Sequence, residues 1–332
     1  MKKLALYAYL LLFATTSLVL TSCGDDDSDP DPDPDPEPEL NIIEWAADNG
    51  EYALLLEAAE IAGLTATLSD ETMLFTIMGP KDPVFQGFLD AATGMANTPV
   101  SAFDAATLGG ILSNHAFVGK LRAADLSTGY VTNAGRVAFD STITTVAYID
   151  VSDGVAINGG TALTGGATVT IADQEALNGI IHSIDGVLVP PKLTTFVAVD
   201  PELTSTLAAL SRDDLGVDYV TAAGGDDLLT VFAPTNAAWD AYLTDNGYAS
   251  VLDVPAGEMA ILIPKHIVPG ANARAESLTD GQMVSNLAGT MLTLNVDGSA
   301  VSVSGSSKTG NVTFPNIQTQ NGVMHKIDTV ID

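Results

Sequence analysis

Asn178-Gly179-Ile180-Ile181-His182-Ser183-Ile184-Asp185 returns near the end of the chain as Asn321-Gly322-Val323-Met324-His325-Lys326-Ile327-Asp328. Asn-Gly is a turn dipeptide, because both residues tolerate positive φ. The residues after it alternate as a strand does: Ile180, His182 and Ile184 share a face, as do Val323, His325 and Ile327. Each copy therefore predicts a turn feeding a final strand. The chain has 4 histidines, and the other two form a second pair, His115 within Leu112–Gly119 and His266 within Ile263–Gly270. Two histidines per half, in the same order, mark an internal duplication.

Around these pairs the same succession of elements is legible. In the first half Ile42, Ile43 and Trp45 form a short helical segment that Gly50 interrupts. Leu54, Leu55, Ala58, Ala59, Ile61 and Ala62 then fall at helical spacing up to Gly63. Leu74–Met78 reads as an apolar strand. After it Asp82 is expected to cap a helix with Pro83 at its first position and Val84, Phe85 and Phe88 inward. The second half repeats this with a strand over Leu228–Ala233, Asn236 as the cap, and Trp239 and Leu243 inward. Asp153-Gly154 and Asp297-Gly298 lie between alternating runs, so each marks a β-hairpin. Helices followed by strands, twice over, predict an α+β fold.

Composition bounds the function. With 332 residues and 46% apolar content, the chain can bury two sizeable cores. A net charge of −30 argues against a nucleic-acid partner, which needs clustered Lys and Arg. Residues 25–39 supply 9 of the 42 acidic groups, and the rest are spread thinly, as on a solvated surface. A single cysteine excludes an internal disulfide framework and a multi-cysteine metal site.

That cysteine is Cys23. Lys2-Lys3 precedes an uncharged apolar run from Leu4 to Leu20, too short and wrongly flanked for a membrane span, and the whole reads as a secretory signal. Its ending, Leu20-Thr21-Ser22-Cys23, resembles the bacterial lipobox, which implies a lipidated Cys23 as the mature N-terminus. Asp and Pro then alternate to Pro38, a stiff and self-repelling tether that spans roughly 50 Å at about 3.1 Å per residue. The acidic run also resembles the export signal of surface-displayed lipoproteins; read blandly, it is a solvated spacer. The expected organisation is a signal peptide over 1–22, lipidated Cys and tether over 23–39, and domains over 40–191 and 192–332.

Thr230-Val231-Phe232-Ala233-Pro234-Thr235-Asn236-Ala237-Ala238-Trp239 resembles the first signature motif of fasciclin domains, and Asn321–Asp328 resembles the second. His266 with Val268-Pro269-Gly270 resembles the segment between them. In the first copy the first motif has drifted to Thr76–Asp82, while Asn178–Pro190 stays clear. The resemblance implies two tandem fasciclin-like domains, each a wedge or sandwich of β-strands packed with a helical cluster. Two departures stand out. The family's Tyr before the middle His is replaced by Asn114 and Lys265, and the second copy lacks the Val-Leu-x-Pro found at Val187–Pro190.

Chemistry-bearing motifs are scarce. No Glu-x-x-His or His-x-x-x-His spacing supplies a third zinc ligand, so the histidines read as buried groups whose ring nitrogens bond backbone, with no metal. Lys308-Thr309-Gly310 matches one β-lactamase fragment but lacks its Ser-x-x-Lys and Ser-Asp-Asn companions. There is no Gly-x-Ser-x-Gly, P-loop or dinucleotide fingerprint, so neither an enzyme nor a cofactor is expected. The resemblance implies a lipid-anchored outer-membrane protein that adheres to a cell, matrix or glycan partner, facing the surface or the periplasm. Alternatives are a carrier of a small apolar ligand (lipid or pigment), since some family members resemble such carriers, and a passive envelope spacer. Some fasciclin domains carry an integrin-like acidic segment before the Asn-Gly turn. Here the aligned positions are Asp173 in the first copy and Asn316-Ile317 in the second, so a carboxylate-dependent partner would use the first.

Overall fold

The computed structural model describes residues 39–332. The expected signal peptide, the lipid-bearing Cys23 and the tether up to Pro38 lie outside the described residues. The first half runs α1 (Ile42–Asn49), α2 (Ala53–Ile61), α3 (Thr65–Leu68), β1 (Phe75–Pro80), α4 (Asp82–Thr93), α5 (Ala105–Asn114), β2 (Ala116–Val118), β3 (Gly129–Val137), β4 (Asp140–Asp150), β5 (Ala156–Ile157), β6 (Ala167–Ala176) and β7 (Gly179–Ile184). The second runs α6 (Leu193–Val199), α7 (Thr204–Leu210), α8 (Tyr219–Ala223), β8 (Leu229–Pro234), α9 (Asn236–Asn246), α10 (Ala256–Lys265), β9 (Ile267–Pro269), β10 (Gln282–Ser285), β11 (Met291–Asp297), β12 (Ala300–Ser304), β13 (Thr309–Thr319) and β14 (Gly322–Ile327).

Each half builds one seven-stranded sheet, and the orders match: β2-β1-β7-β6-β5-β4-β3 in the first and β9-β8-β14-β13-β12-β11-β10 in the second. The strand that carries the repeated motif runs parallel to the early strand, with Met78 opposite His182 and Phe232 opposite His325. These central strands are buried along their whole length. One face packs on the helices, where Ile77 and Ile181 join Ile42 and Ala116. The other face meets the rest of the sheet folded over it, where Met78 and Ile184 join Ile149, Ile157 and Ala167. The alternation in the sequence thus separates two buried environments rather than core from water. The fold is α+β.

The capping expectations need correction. Lys81 occupies the cap position of α4, and Asp82 is its first residue. The Asp82 carboxylate instead accepts from Leu54 N at 2.8 Å, at the start of α2, whose own cap residue offers no side-chain bond. Asn236 does the same in the second half: Thr235 caps α9, and Asn236 Oδ1 accepts from Ser205 N at 2.9 Å at the start of α7. The residue type was legible as a cap. Its target lies 28 or 31 residues upstream, out of reach of a local reading.

The Asn-Gly pairs also serve a different purpose from the one expected. Neither asparagine has positive φ. The two-residue turns are Leu177-Asn178 and Gln320-Asn321, with Ala176 facing Gly179 and Thr319 facing Gly322. Both asparagines are buried and tie down the first helix of their half. Asn178 Oδ1 accepts from Ile42 N at 2.8 Å while its amide donates to the Leu68 and Asp70 carbonyls. Asn321 Oδ1 accepts from Leu193 N at 3.0 Å and its amide donates to the Ala223 and Gly225 carbonyls. The glycines permit close approach of the parallel neighbour: a Cβ on Gly179 would collide with the Phe75 carbonyl oxygen, and one on Gly322 with that of Leu229. Asp153-Gly154 and Asp297-Gly298 do turn equivalent hairpins, β4 to β5 and β11 to β12, with both glycines at positive φ.

Candidate functional site

His115 and His266 follow α5 and α10 as their C-cap residues. Nδ1 lies 2.9 Å from the Ile111 carbonyl oxygen in one and 3.0 Å from that of Leu262 in the other. Nε2 accepts from the backbone N–H of Leu188 or Ile331, at 2.9 Å in both. Ile331 thereby takes the place of Leu188. A ring that accepts at Nε2 and donates at Nδ1 is neutral. Burial favours the same form and pushes both imidazoles from the ordinary 6.5 down to about 4.

His182 and His325 use the opposite tautomer. Nε2 lies 2.9 Å from the carbonyl oxygen of Leu121 or Ala273. Nδ1 accepts from the N–H of Asp173 at 3.2 Å or Asn316 at 3.4 Å. Burial pushes His325 down to about 4. Both nitrogens of every imidazole therefore face backbone partners. Among the described residues, no cluster of three or more His, Cys, Asp or Glu stands close enough to hold a metal ion.

Asp173 and Asn316 mark the register slips where β6 and β13 bulge, and both are left-handed, at φ 58° and 62°. Short polar side chains suit that conformation. Asp173 Oδ1 accepts from Ala123 N and Asn316 Oδ1 from Ala275 N, each at 2.8 Å. Carboxylate and amide therefore perform one local task, closing a 3₁₀ turn on the adjacent loop. Ile317 is corrected as an adhesion residue: it is fully buried in the main core of the second half.

The junction between the halves holds residues that the sequence reading missed. Lys326 Nζ lies 3.0 Å from Asp200 Oδ2 and 2.5 Å from Glu202 Oε2. It also sits over the rings of Tyr130 and Phe314, 5.6 Å and 5.3 Å from their centroids. Tyr130, from the first half, donates its hydroxyl to Asp200 Oδ2 at 2.7 Å and packs edge-on against Phe196 of the second. Burial, and then the Asp200 carboxylate, push the Tyr130 phenol far above its usual range, so it stays a donor. Val146 and Tyr148 of β4 belong to the second half's core. Gln320 adds bonds to the Arg136 carbonyl and the Ala138 N–H. The first copy has Ser183 where Lys326 stands. A lone charge on a strand buried throughout was the available signal.

An apolar cavity of about 110 Å³ lies between the helices and sheet of the first half, walled by Trp45, Tyr52, Leu55, Ala59, Ala116 and Ile181 among others. Its counterpart in the second half has shrunk to about 30 Å³. Matching the repeats through their asparagine and histidine bonds puts Leu210 opposite Ala59 and Ile267 opposite Ala116. Both larger residues line the second cavity, which accounts for the difference.

Residues 50–190 and 201–332 each match the family model described as Fasciclin domain. The chain is similar to human periostin, 30% identical over 167 residues, which span 50% of this chain and 19% of periostin. It is similar to Protein sll1483 of Synechocystis, 31% identical over 153 residues, spanning 46% of this chain and 74% of that protein. Transforming growth factor-beta-induced protein ig-h3 of Sus scrofa is 26% identical over 162 residues, 48% of this chain and 22% of its own. The matched part is thus about a fifth of periostin and of ig-h3. Among solved structures, a FAS1 domain pair from the insect cell adhesion molecule fasciclin I superposes with a TM-score of 0.50. It is 17% identical and covers 85% of this chain and 97% of the pair, a likeness of fold. With both halves matched, the chain belongs to the fasciclin-domain family.

Proposed function

We propose that this chain is a non-enzymatic adhesion protein, held at the outer membrane by a lipid on Cys23 and displayed at the cell surface. Its two fasciclin domains contact a protein or glycan of a cell or matrix. The observation that carries this reading is family membership over both halves, in the family of domains that the insect cell adhesion molecule fasciclin I also carries. The histidines support the absence of catalysis. They are the side chains best suited to proton transfer near neutral pH, and backbone partners take up their ring nitrogens. The test is adhesion of beads coated with residues 38–332 to cells, matrix proteins and a glycan array. Specific capture supports the reading, and beads that behave like albumin-coated controls on all three count against it.

A second reading, carriage of a small apolar ligand, has one observation in its favour: the cavity of the first domain. Its 110 Å³ is below the roughly 150 Å³ that admits a benzene, and well below the about 300–1,000 Å³ of ligand pockets. A pigment or acyl chain would have to displace side chains of the lining, Trp45, Leu55 and Leu68 among them, to fit. Organic extraction of the purified protein followed by mass spectrometry tests this. A stoichiometric apolar compound would promote it to first place.

A further inference from the structure

The junction shows how one fasciclin domain of this chain seats on the next. The first domain offers a donor face on β3 and β4, with Tyr130 and Val146. The second offers an acceptor face, with Phe196, Phe314 and Gln320, that receives it. Because the domains are repeats, each also carries the complementary face that the junction leaves unused.

The equivalent positions follow from matched bonds. Tyr130 pairs with Tyr148 and Met283 with Thr293 across the same two strands, so Met283 stands for Tyr130 and Met291 for Val146. Phe314 faces Lys326 and Ile171 faces Ser183, so Ile171 stands for Phe314. Leu177 occupies the turn position of Gln320. Trp45 stands for Phe196, three residues past the N–H held by the buried asparagine.

These unused faces are apolar and open. Met283 is 59% exposed, Met291 48%, Ile171 44% and Leu177 39%, and Trp45 is half-buried. Where the second domain's acceptor face presents the polar Gln320, the free one presents leucine. Exposed apolar groups gathered at matching places on both ends of a molecule mark an interaction surface. The charged lock, by contrast, is missing from the free faces: Asn49 stands for Asp200 and Ser183 for Lys326. A contact made there rests on apolar burial alone.

We propose that copies of this chain associate head to tail, Met283 and Met291 of one copy seating on Trp45, Ile171 and Leu177 of the next. The contact repeats the internal junction and is heterologous, so it makes strings rather than a closed two-fold dimer. Lacking the lock, it is weak and reversible, as suits many shallow contacts between facing surfaces. Two chains of net charge −30 repel, so salt strengthens the contact by screening. The proposal names a partner, a second copy, for the adhesion reading and rests on that reading for its cellular meaning.

Sedimentation velocity of residues 38–332, from micromolar to near-millimolar concentration, tests it. The mean mass is expected to rise past the dimer with concentration, and to rise further near about 1 M salt. Met283→Glu blocks the donor face and Leu177→Glu the acceptor. Both residues are exposed, so the fold is kept, and each variant alone is expected to lose at least tenfold in association constant. Mixed, the two variants still share one good donor and one good acceptor. They are expected to form 1:1 dimers and nothing longer. A monomer at every concentration, or association that neither variant weakens, overturns the proposal. Bead capture by a foreign surface from a strictly monomeric protein sinks self-association and leaves the adhesion reading standing. Self-association without any bead adhesion, to foreign surfaces or between coated beads, sinks the adhesion reading alone.

Discussion

The Tyr130 hydroxyl and Lys326 Nζ converge on a single oxygen, Asp200 Oδ2, from opposite sides of the domain junction, at 2.7 Å and 3.0 Å. Asp200 is 1% exposed as a side chain and Lys326 8%. Removing the cation leaves a buried carboxylate without compensation, so Lys326→Ala is expected to cost about 3–5 kcal/mol. Glu202, 62% exposed, binds the same ammonium from solvent, and Glu202→Ala is expected to cost less than about 1 kcal/mol. Because Val146 and Tyr148 complete the second domain's core, calorimetry should record one transition for the whole unit. Two separated transitions, or equal costs for the two variants, would contradict a shared core locked by Lys326.

Acid should act through the histidines. His115, His266 and His325 have folded pKa values near 4, against 6.5 unperturbed. A depressed folded pKa means that the stability each contributes is complete above about 6.5 and is lost as pH falls toward about 4, by about 3 kcal/mol per group at most. Carboxylates add to this loss at lower pH: hydrogen bonds from the Thr98 N–H, the Thr107 N–H and the Thr221 hydroxyl hold Asp90, Asp104 and Asp218 below their ordinary range, so protonating them also destabilises. The imidazole C–H resonances of these three residues should therefore stay still above about pH 5. A midpoint near the ordinary value for any of them would show that its ring is not held neutral by burial.

Asn178→Ala should destabilise well beyond a turn substitution. It orphans the buried Ile42 N–H, at about 1–3 kcal/mol, and takes a donor from the part-buried Leu68 and Asp70 carbonyls, of which Asp70 keeps the Met73 N–H. Gly322→Ala should be worse, since its Cβ meets backbone and not a side chain that can swing aside. Denaturant titration of both variants checks the order. An Asn178→Ala protein as stable as wild type would return the asparagine to a plain turn role.

The duplication, the α+β class and the motif strands were legible because they depend on local pattern: a turn dipeptide, alternation and a repeated histidine. The reason for the Asn-Gly pair was not. Its asparagine reaches Ile42, 136 residues upstream, and its glycine is set by a neighbouring strand. Asp82 and Asn236 show the same limit, since each caps a helix other than its own. The junction was beyond local reading altogether, because Tyr130, Asp200 and Lys326 meet only when both domains are folded. Asp173 and Asn316 were legible as equivalent positions. Their shared geometry, an oxygen acceptor on a left-handed bulge, was hidden by the difference in charge.

That geometry makes Asp173→Asn a clean probe. The amide oxygen can keep the bond to Ala123 N, as Asn316 keeps its own to Ala275 N. Stability is expected to stay within about 0.5 kcal/mol of wild type. The substitution belongs in the intact two-domain chain, because separating the domains would expose Tyr130, Val146 and Tyr148. A large loss of stability would show that the charge, and not the acceptor, holds the bulge. A loss of adhesion at unchanged stability would assign Asp173 to a partner contact.

Anchored adhesion, the central claim, is tested most directly by comparing cells that carry the wild-type chain with cells that carry Cys23→Ser at matched expression. Two or more acyl chains at about 0.8 kcal/mol per buried CH₂ hold a protein at the membrane almost permanently, and serine accepts none by the lipobox route. The measurement is attachment of intact cells to a partner-coated surface under flow, with membrane fractionation of the same cultures. The wild-type chain is expected in the detergent-soluble membrane fraction with cells attached, and Cys23→Ser released or left unprocessed with attachment lost. Equal attachment, with the variant still held in membranes in a detergent-dependent way, would contradict the account.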